Sequence, residues 1–186
     1  GHAVLLRNLC LLAETLQSDL RQSFLFFTPD LCHPRYQQHA LAPALKEAFT
    51  ALQGRVARGT LQSSRDLLGV VAIFGGQWPH SSWMLPGGVT QPANARRLID
   101  TQQIIAKVTR WFEETVIGSA LDNWLAVGSA AELWRWQEAD PARGKVALGL
   151  LNRFARDIGL HRLGRGSGHL LSYGINHAPG GSAQRW

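Results

Sequence analysis

Cysteine is scarce in this chain of 186 residues: the only two are Cys10 and Cys32, and they form no Cys-x-x-Cys pair. This scarcity excludes a disulfide-rich scaffold. Long apolar runs are also missing, because Arg7, Glu14 and Asp19 interrupt the N-terminal one well short of the roughly 20 residues that span a membrane. With 45% hydrophobic and 17% charged residues, the composition is that of a folded globular chain.

Methionine is almost absent as well, since Met84 is the only one. The chain begins Gly-His-Ala, without an initiator methionine or a signal-peptide pattern, and a helical apolar pattern is already present at residue 4. We therefore interpret the sequence as an internal fragment of a longer protein. Its length predicts one domain over residues 1–186.

Apolar residues that recur every three or four positions predict a mainly α fold, a helical bundle. The predicted helices cover 3–27, 42–53, 60–73, about 93–118 and 141 to about 158, and 121–139 is predicted to be partly helical. The Gly-rich segment 164–186 contains one short strand or hairpin candidate, at 170–175.

The same periodicity predicts which side chains are buried. In the first helix, Arg7, Glu14 and Gln17 are expected on the polar side. The predicted buried side chains are, in the first helix, Leu5, Leu9, Leu12, Leu16, Leu20 and Phe24; in the next two, Leu45, Phe49, Leu52, Leu61, Leu67, Leu68, Val71 and Ile73; in the fourth, Leu98, Ile104, Ile105, Val108, Trp111, Phe112 and Val116; and in the last, Val146, Leu150, Leu151 and Phe154.

Residues 74–92, hereafter the Gly/Pro loop, break the helical pattern with four glycines, three prolines and two tryptophans. Loops of this length are either functional or disordered, and the aromatic content favours order. Paired glycines permit close backbone approach or positive φ, and prolines fix the path between them. His80 is then held where its ring can donate a hydrogen bond outward. The candidate site residues are Gly75, Gly76, Gln77, Pro79, His80, Gly87 and Gly88.

Other chemistries find weaker support. Cys32, His33 and His39 lack the second ligand pair that a structural zinc site requires, so no metal site is predicted in this chain. There is no Gly-x-Ser-x-Gly elbow and no phosphate-binding loop. The net charge of +6 comes from arginines scattered over predicted helix surfaces, so we predict no nucleic-acid binding, although a basic helical binding module stays open as an alternative.

Four short segments resemble motifs of one known family. The sequence Phe-Gly-Gly-Gln-Trp-Pro-His at 74–80, followed by Pro-Gly-Gly-Val at 86–89, is similar to a segment of nickel–iron hydrogenase large subunits. Arg-Asn-Leu at 7–9 and Leu-Leu-Ser-Tyr-Gly at 170–174 resemble motifs of the same family and follow its order. The resemblance therefore extends over nearly the whole chain.

The resemblance implies reversible H2 oxidation at a nickel–iron centre, with electrons passed to an iron–sulfur small subunit in a heterodimer. In that family two Cys-x-x-Cys pairs near the ends of a much longer subunit bind the centre, and this chain contains neither. It would be the middle of the subunit, with no catalytic residue of its own. We therefore expect this chain alone to bind no nickel and to be inactive.

The resemblance also assigns a role to the Gly/Pro loop. In relatives its Pro-His faces the small subunit, close to the nearest iron–sulfur cluster, and here this role would belong to His80, with Pro79 fixing it. Many members carry a basic residue at the position of Gln77, which is neutral here, and a proline where Ser81-Ser82 stands. The alternative function is a non-catalytic, large-subunit-like scaffold for assembly of the nickel–iron centre. Compartment stays open between the cytoplasm and membrane association through other subunits.

Overall fold

The computed structural model describes residues 1–164, 166, 175–177 and 183–185. The mainly α class is confirmed. Within these residues, no helix is long and apolar enough to cross a membrane. The elements are α1 (His2–Arg21), α2 (Ala42–Phe49), α3 (Arg55–Gly75), β1 (Met84–Leu85), β2 (Gly88–Val89), α4 (Ala95–Trp111), α5 (Leu121–Leu125), α6 (Ala130–Glu138), α7 (Ala147–Asp157), β3 (Ile175–His177) and β4 (Ala183–Arg185).

Two helices end in a wider turn. Single π-helical turns, Gln22–Phe26 and Phe112–Ile117, continue α1 and α4. These turns explain why the apolar pattern predicted longer helices, over 3–27 and about 93–118. Short 3₁₀ helices fill the connections after α1, before α7 and after it, at Thr28–Cys32, Pro34–Tyr36, Pro141–Lys145 and Leu160–Arg162.

The antiparallel pair of α1 and α3 forms one half of the core. Leu6 and Cys10, near the start of α1, pack with Val70 and Phe74 near the end of α3. Helix α4 also packs antiparallel against α3, with Trp111 next to Gly59 and Ile104 next to Gly69. Lys107 of α4 forms an ion pair with Asp66 of α3, with Nζ 2.7 Å from Oδ2. The second half of the core collects α2, α7 and the end of α4 around fully buried side chains: Leu45, Phe49, Val56, Ile117, Ala147 and Phe154.

The predicted buried face of α1 is wrong by one position over most of the helix. Leu5, Leu12 and Leu16 are 43% to 48% exposed, and the residues that pack against α3 are Leu6, Cys10, Ala13, Gln17, Leu20 and Phe24. The apolar residues of α1 cover one broad arc of the helix, so periodicity alone could not say which part of that arc meets α3. The small side chains of Cys10 and Ala13 let the two helices approach closely, and Gln17 is buried although it was expected on the polar side.

Four further residues predicted to be buried are exposed: Leu52, Leu61, Leu98 and Ile105. Helix α2 ends at Phe49, so Leu52 lies in the following turn, with φ of 61°. In α4 the fully buried side chains are Thr101 and Val108, which places the predicted stripe partly on the solvent side.

The C-terminal prediction is confirmed as far as it can be compared. Residues 170–174 of the strand candidate lie outside the described residues. β3 begins at Ile175 and pairs antiparallel with β4, with His177 opposite Ala183, so the predicted short strand or hairpin is present.

Helix α3 contains two glycines that provide a matched test of its packing. A Cβ at Gly59 would lie 2.2 Å from Trp111 Nε1, whereas one at Gly69 would lie 3.4 Å from Ile104 Cδ1, an ordinary contact. Gly59→Ala should lower the free energy of unfolding by about 1–3 kcal/mol because the site is overpacked. Gly69→Ala should raise it by roughly 0.5–1 kcal/mol because alanine favours the helix. Urea denaturation followed by circular dichroism measures both, and equal stabilities would contradict the packing.

Candidate functional site

The Gly/Pro loop leaves α3 through its first glycine pair. Gly76 is in the left-handed region, with φ of 78°, and its N–H donates to the carbonyl of Ala72 at 2.8 Å, which ends the helix. Gly75 serves a different purpose. A Cβ there would lie 2.9 Å from Ser81 Cβ and 3.1 Å from Trp83 Cδ1, so the returning chain can pass only over a glycine.

Trp83 anchors the loop in the core. It is 2% exposed and packs in the cluster formed by α1 and α3, next to Phe74 and Cys10. The N–H of Thr90 donates to its carbonyl at 2.8 Å, which ties the two arms of the loop together. The loop is therefore part of the folded body rather than an appendage.

The second glycine pair closes a small hairpin. Leu85 of β1 pairs with Gly88 of β2 around a two-residue turn, Pro86-Gly87. Gly87 has φ of 80°, and a proline followed by a positive-φ glycine is the pattern of a type II turn. Gly88 has no such requirement: its φ is not positive, and no atom lies within 4 Å of an added Cβ.

Arg7 of α1 holds this hairpin from below. Its Nη2 donates to the carbonyl of Leu85 at 2.6 Å and also to the carbonyl of Gly88. Each hydrogen bond from a charged donor contributes about 1.5–3 kcal/mol, while an isolated two-stranded hairpin is marginal at best. The hairpin thus depends on α1 for its position. Arg7 was predicted on the polar side of α1, and it is half-buried beneath the hairpin.

The tip of the loop carries His80. The Trp78–Pro79 peptide bond is cis, and His80 follows with φ of 64°, a left-handed conformation uncommon for a residue with a side chain. Gln77 Nε2 donates to the His80 carbonyl at 2.9 Å. Trp78 Nε1 donates to Glu14 Oε1 at 2.9 Å, a second link to α1. The carbonyl of His80 is held by Gln77, while the His80 side chain is exposed.

The structure brings all seven candidate residues into one segment, and most of them face outward. Gly76, Gln77, Pro79, His80 and Gly87 are exposed, whereas Gly75 and Gly88 are half-buried. A cavity of about 350 Å³ lies at the base of the loop, between Gln77, Ser82, Trp83 and Gln91. These side chains offer hydrogen-bond donors and acceptors, so the chemistry they support is recognition of a partner surface.

The residues that a metal site would use have other partners. Cys32 Sγ donates to the Leu45 carbonyl at 3.5 Å, and burial raises the pKa of its thiol. His33 Nδ1 accepts from the Arg35 N–H, and His39 Nε2 lies 3.5 Å from Asp157 Oδ2. In the described part of the chain, no group of three or more His, Cys, Asp or Glu side chains is arranged to hold a metal ion.

The donor set does not fit a nickel–iron centre. Such a soft centre takes thiolate ligands, four in the family that the sequence resembles. Cys10 is buried in the cluster between α1 and α3, and Cys32 packs against the other half of the core. Neither cysteine is therefore placed to be a ligand of such a centre.

Three residues important for the loop were not predicted from the sequence. Trp83 was noted only as an aromatic residue, Glu14 only as a polar one, and the contact of Arg7 with the hairpin was not foreseen. The contacts of all three join residues far apart in the sequence. Glu14, for example, accepts a hydrogen bond from Trp78, 64 residues away. The signal that could have identified Arg7 is its position in an otherwise apolar helical run, where a long cation needs a buried partner.

The hairpin turn provides a matched pair of substitutions. Gly87→Ala should lower the free energy of unfolding by about 1–2 kcal/mol because alanine is strained at positive φ. Gly88→Ala should change it by no more than about 0.5 kcal/mol, since nothing obstructs the added methyl group. Thermal unfolding of both variants, measured against the native chain, checks the difference, and a Gly88→Ala variant as unstable as Gly87→Ala would contradict the turn geometry.

Cys10, directly beneath the loop, predicts a pH dependence. Burial, and then the negative charge of Glu14, raise the pKa of its thiol from 9.0 to about 11. Between these values the folded chain keeps a proton that the unfolded chain loses, so stability falls as pH rises. Relative to Cys10→Ala, the native chain should lose at most about 2–3 kcal/mol of unfolding free energy between pH 8 and pH 11. Urea denaturation at both pH values measures it, and a constant difference would contradict the raised pKa.

Comparison with known proteins adds no family assignment. The chain matches no protein-family model, and a search of curated proteins finds no significant match. The resemblance noted above therefore depends on the motif residues themselves and on how the fold arranges them.

Proposed function

We propose that this chain is the middle part of the large subunit of a nickel–iron hydrogenase, which oxidises H2 reversibly and passes electrons to an iron–sulfur small subunit. The observation that carries the proposal is the contact of Arg7 with the hairpin. Arg7 belongs to the Arg-Asn-Leu segment, and the carbonyls that it binds flank the Pro-Gly turn of the Pro-Gly-Gly-Val segment. Two segments about 80 residues apart, each resembling the same family, thus form one unit.

The exposed tip of the Gly/Pro loop supports the proposed partner. His80 is exposed on a backbone fixed by Gln77 and by the link from Trp78 to Glu14. A rigid, exposed imidazole next to hydrogen-bonding side chains is suited to a surface where an iron–sulfur protein docks. Hydrogen bonds and charge near a cluster set its reduction potential.

The exposed leucines of α1 support membership in a larger body. Leu5, Leu12 and Leu16 are exposed along one line of the helix, next to the residues that contact α3. An exposed apolar strip marks a surface that another part of a protein covers. The remainder of the subunit would cover it.

In this proposal the metal chemistry takes place on residues outside this chain. In the complete subunit the nickel–iron centre would supply the cleavage of H2, on cysteine ligands outside this chain. The residues described here would hold the docking loop in position and provide the helical body around it. On this basis the isolated chain has no catalytic residue.

Replacing His80 tests the proposal in the full-length heterodimer. His80→Ala removes an N–H donor near the nearest iron–sulfur cluster, which destabilises the reduced cluster. We expect the potential of that cluster to become more negative and H2-dependent reduction of an electron acceptor to slow. Redox titration followed by electron paramagnetic resonance measures the potential, and steady-state assay measures the rate.

His33→Ala is the matched control, since His33 is also an exposed histidine and its ring accepts a hydrogen bond from the backbone N–H of Arg35, away from the Gly/Pro loop. It should change neither quantity. An unchanged potential and rate in His80→Ala would remove the proposed role of the loop. The parent reading frame separates the two functions: two Cys-x-x-Cys pairs flanking this region support the enzyme, and their absence supports the assembly scaffold.

A further inference from the structure

A second cavity, of about 480 Å³, lies between α6, the 3₁₀ helix Pro141–Lys145 and α7, in a part of the molecule that the Gly/Pro loop does not form. Its wall is polar and aromatic. The residues that carry the argument are Trp134, Gln137, Glu138, Gly144, Arg153 and Arg156. Pockets of 300–1,000 Å³ with a few convergent polar groups are typical small-molecule sites.

The most informative wall residue is Gln137. It is 9% exposed, and its Oε1 accepts no hydrogen bond within the described chain. A buried acceptor without a partner costs about 1–3 kcal/mol. This oxygen has almost no accessible surface, but Gln137 lines the cavity, so a rotation of its terminal amide would let a ligand in the cavity supply the missing donor.

Two guanidinium groups flank the same space. Arg153 and Arg156 are three positions apart on α7, so they lie on one face of that helix. Arg153 Nη1 makes only a long hydrogen bond, 3.4 Å, to the Gly144 carbonyl. The absence of a side chain at Gly144 makes room for it, since a Cβ there would lie 3.3 Å from Nη1.

The guanidinium of Arg156 is oriented by neighbouring side chains, but its hydrogen-bonding capacity is not fully used. Its guanidinium stacks over the ring of Trp134, 5.0 Å from the centroid, and its Nη1 is 3.9 Å from Glu138 Oε1. Asp157, the other carboxylate at the cavity, is in contact with His39. A third arginine, Arg143, stacks over Trp136 nearby, with its Nη1 donating to the Trp136 carbonyl. The cavity wall itself carries two arginines and two carboxylates, Glu138 and Asp157, and Arg143 beside it adds a third cation.

We propose that this cavity binds a small organic anion whose carboxylate or phosphate group is held by Arg153 and Arg156 and whose O–H or N–H donates to Gln137 Oε1. Arginine pairs suit planar oxyanions because each guanidinium can donate two parallel hydrogen bonds. Gln137 adds the requirement for a donor group on the ligand. This proposal does not depend on the hydrogenase proposal, and the two are tested separately.

Isothermal titration calorimetry with paired probes tests the proposal on the complete chain. Malate and succinate carry the same two carboxylates and differ by one hydroxyl group. Glycerol 3-phosphate and propyl phosphate carry the same phosphate group and differ by two hydroxyl groups. We expect saturable binding at millimolar or lower concentration for one pair, with the hydroxyl-bearing member tighter. The pair of probes that binds shows whether the anionic group is a carboxylate or a phosphate.

Substitutions at the cavity test the assigned contacts. Arg153→Gln and Arg156→Gln should each weaken binding about tenfold, the effect expected for one charge-assisted hydrogen bond. Gln137→Leu should abolish the preference for the hydroxyl-bearing probe. Arg96→Gln is the matched control, because Arg96 is an exposed arginine of α4 that forms an ion pair with Asp100. It should leave binding unchanged.

The proposal is overturned if none of the four probes binds saturably, or if Arg96→Gln weakens binding as much as the two cavity variants. The latter result would mean attraction to the net positive charge alone. Because Arg153 and Arg156 are on the surface of α7, their variants should fold as the native chain does, and circular dichroism checks this. The arginine variants therefore decide the result even if Gln137→Leu does not fold.

Discussion

The arrangement of the Gly/Pro loop depends on the hydrogen bonds that the guanidinium of Arg7 donates to it. A hairpin of two residue pairs has too few hydrogen bonds to hold its own position, and Arg7 supplies two charged donors to carbonyls on both of its strands. The buried indole of Trp83 fixes the same segment from the core side. Together they convert a segment rich in glycine and proline into a rigid part of the molecule, from which His80 extends into solvent.

Helix α1 connects this local arrangement to the larger fold. One side of it packs against α3, Arg7 and Glu14 hold the loop, and Leu5, Leu11, Leu12 and Leu16 are exposed. A helix that exposes four leucines is suited to a larger assembly that covers them rather than to the edge of a small domain. The proposed hydrogenase large subunit would provide such an assembly, and the loop would lie where its partner docks.

The polar cavity at α7 differs from the Gly/Pro loop in where its unpaired hydrogen-bonding groups face. There, arginines stacked on tryptophan rings surround a buried amide oxygen without a partner, so the unused hydrogen-bonding capacity faces inward. At the Gly/Pro loop the hydrogen bonds are mostly satisfied within the chain, and the free groups face outward. The first arrangement suits a small ligand, and the second suits a protein surface, because small ligands need enclosure and protein partners need an exposed, rigid patch.

The helices, the breaks between them and the position of the loop were predictable from the sequence, because helical periodicity and glycine or proline breaks are local properties. The glycine pairs were expected to permit positive φ or close backbone approach, and the structure assigns positive φ to Gly76 and Gly87 and close approach to Gly75. Which part of the apolar arc of α1 is buried was not predictable from the sequence, since only packing against α3 decides it. The contacts of Arg7, Glu14 and Trp83 were likewise decided by the tertiary structure, because they join residues far apart in sequence whose meeting depends on how α1 and α3 pair.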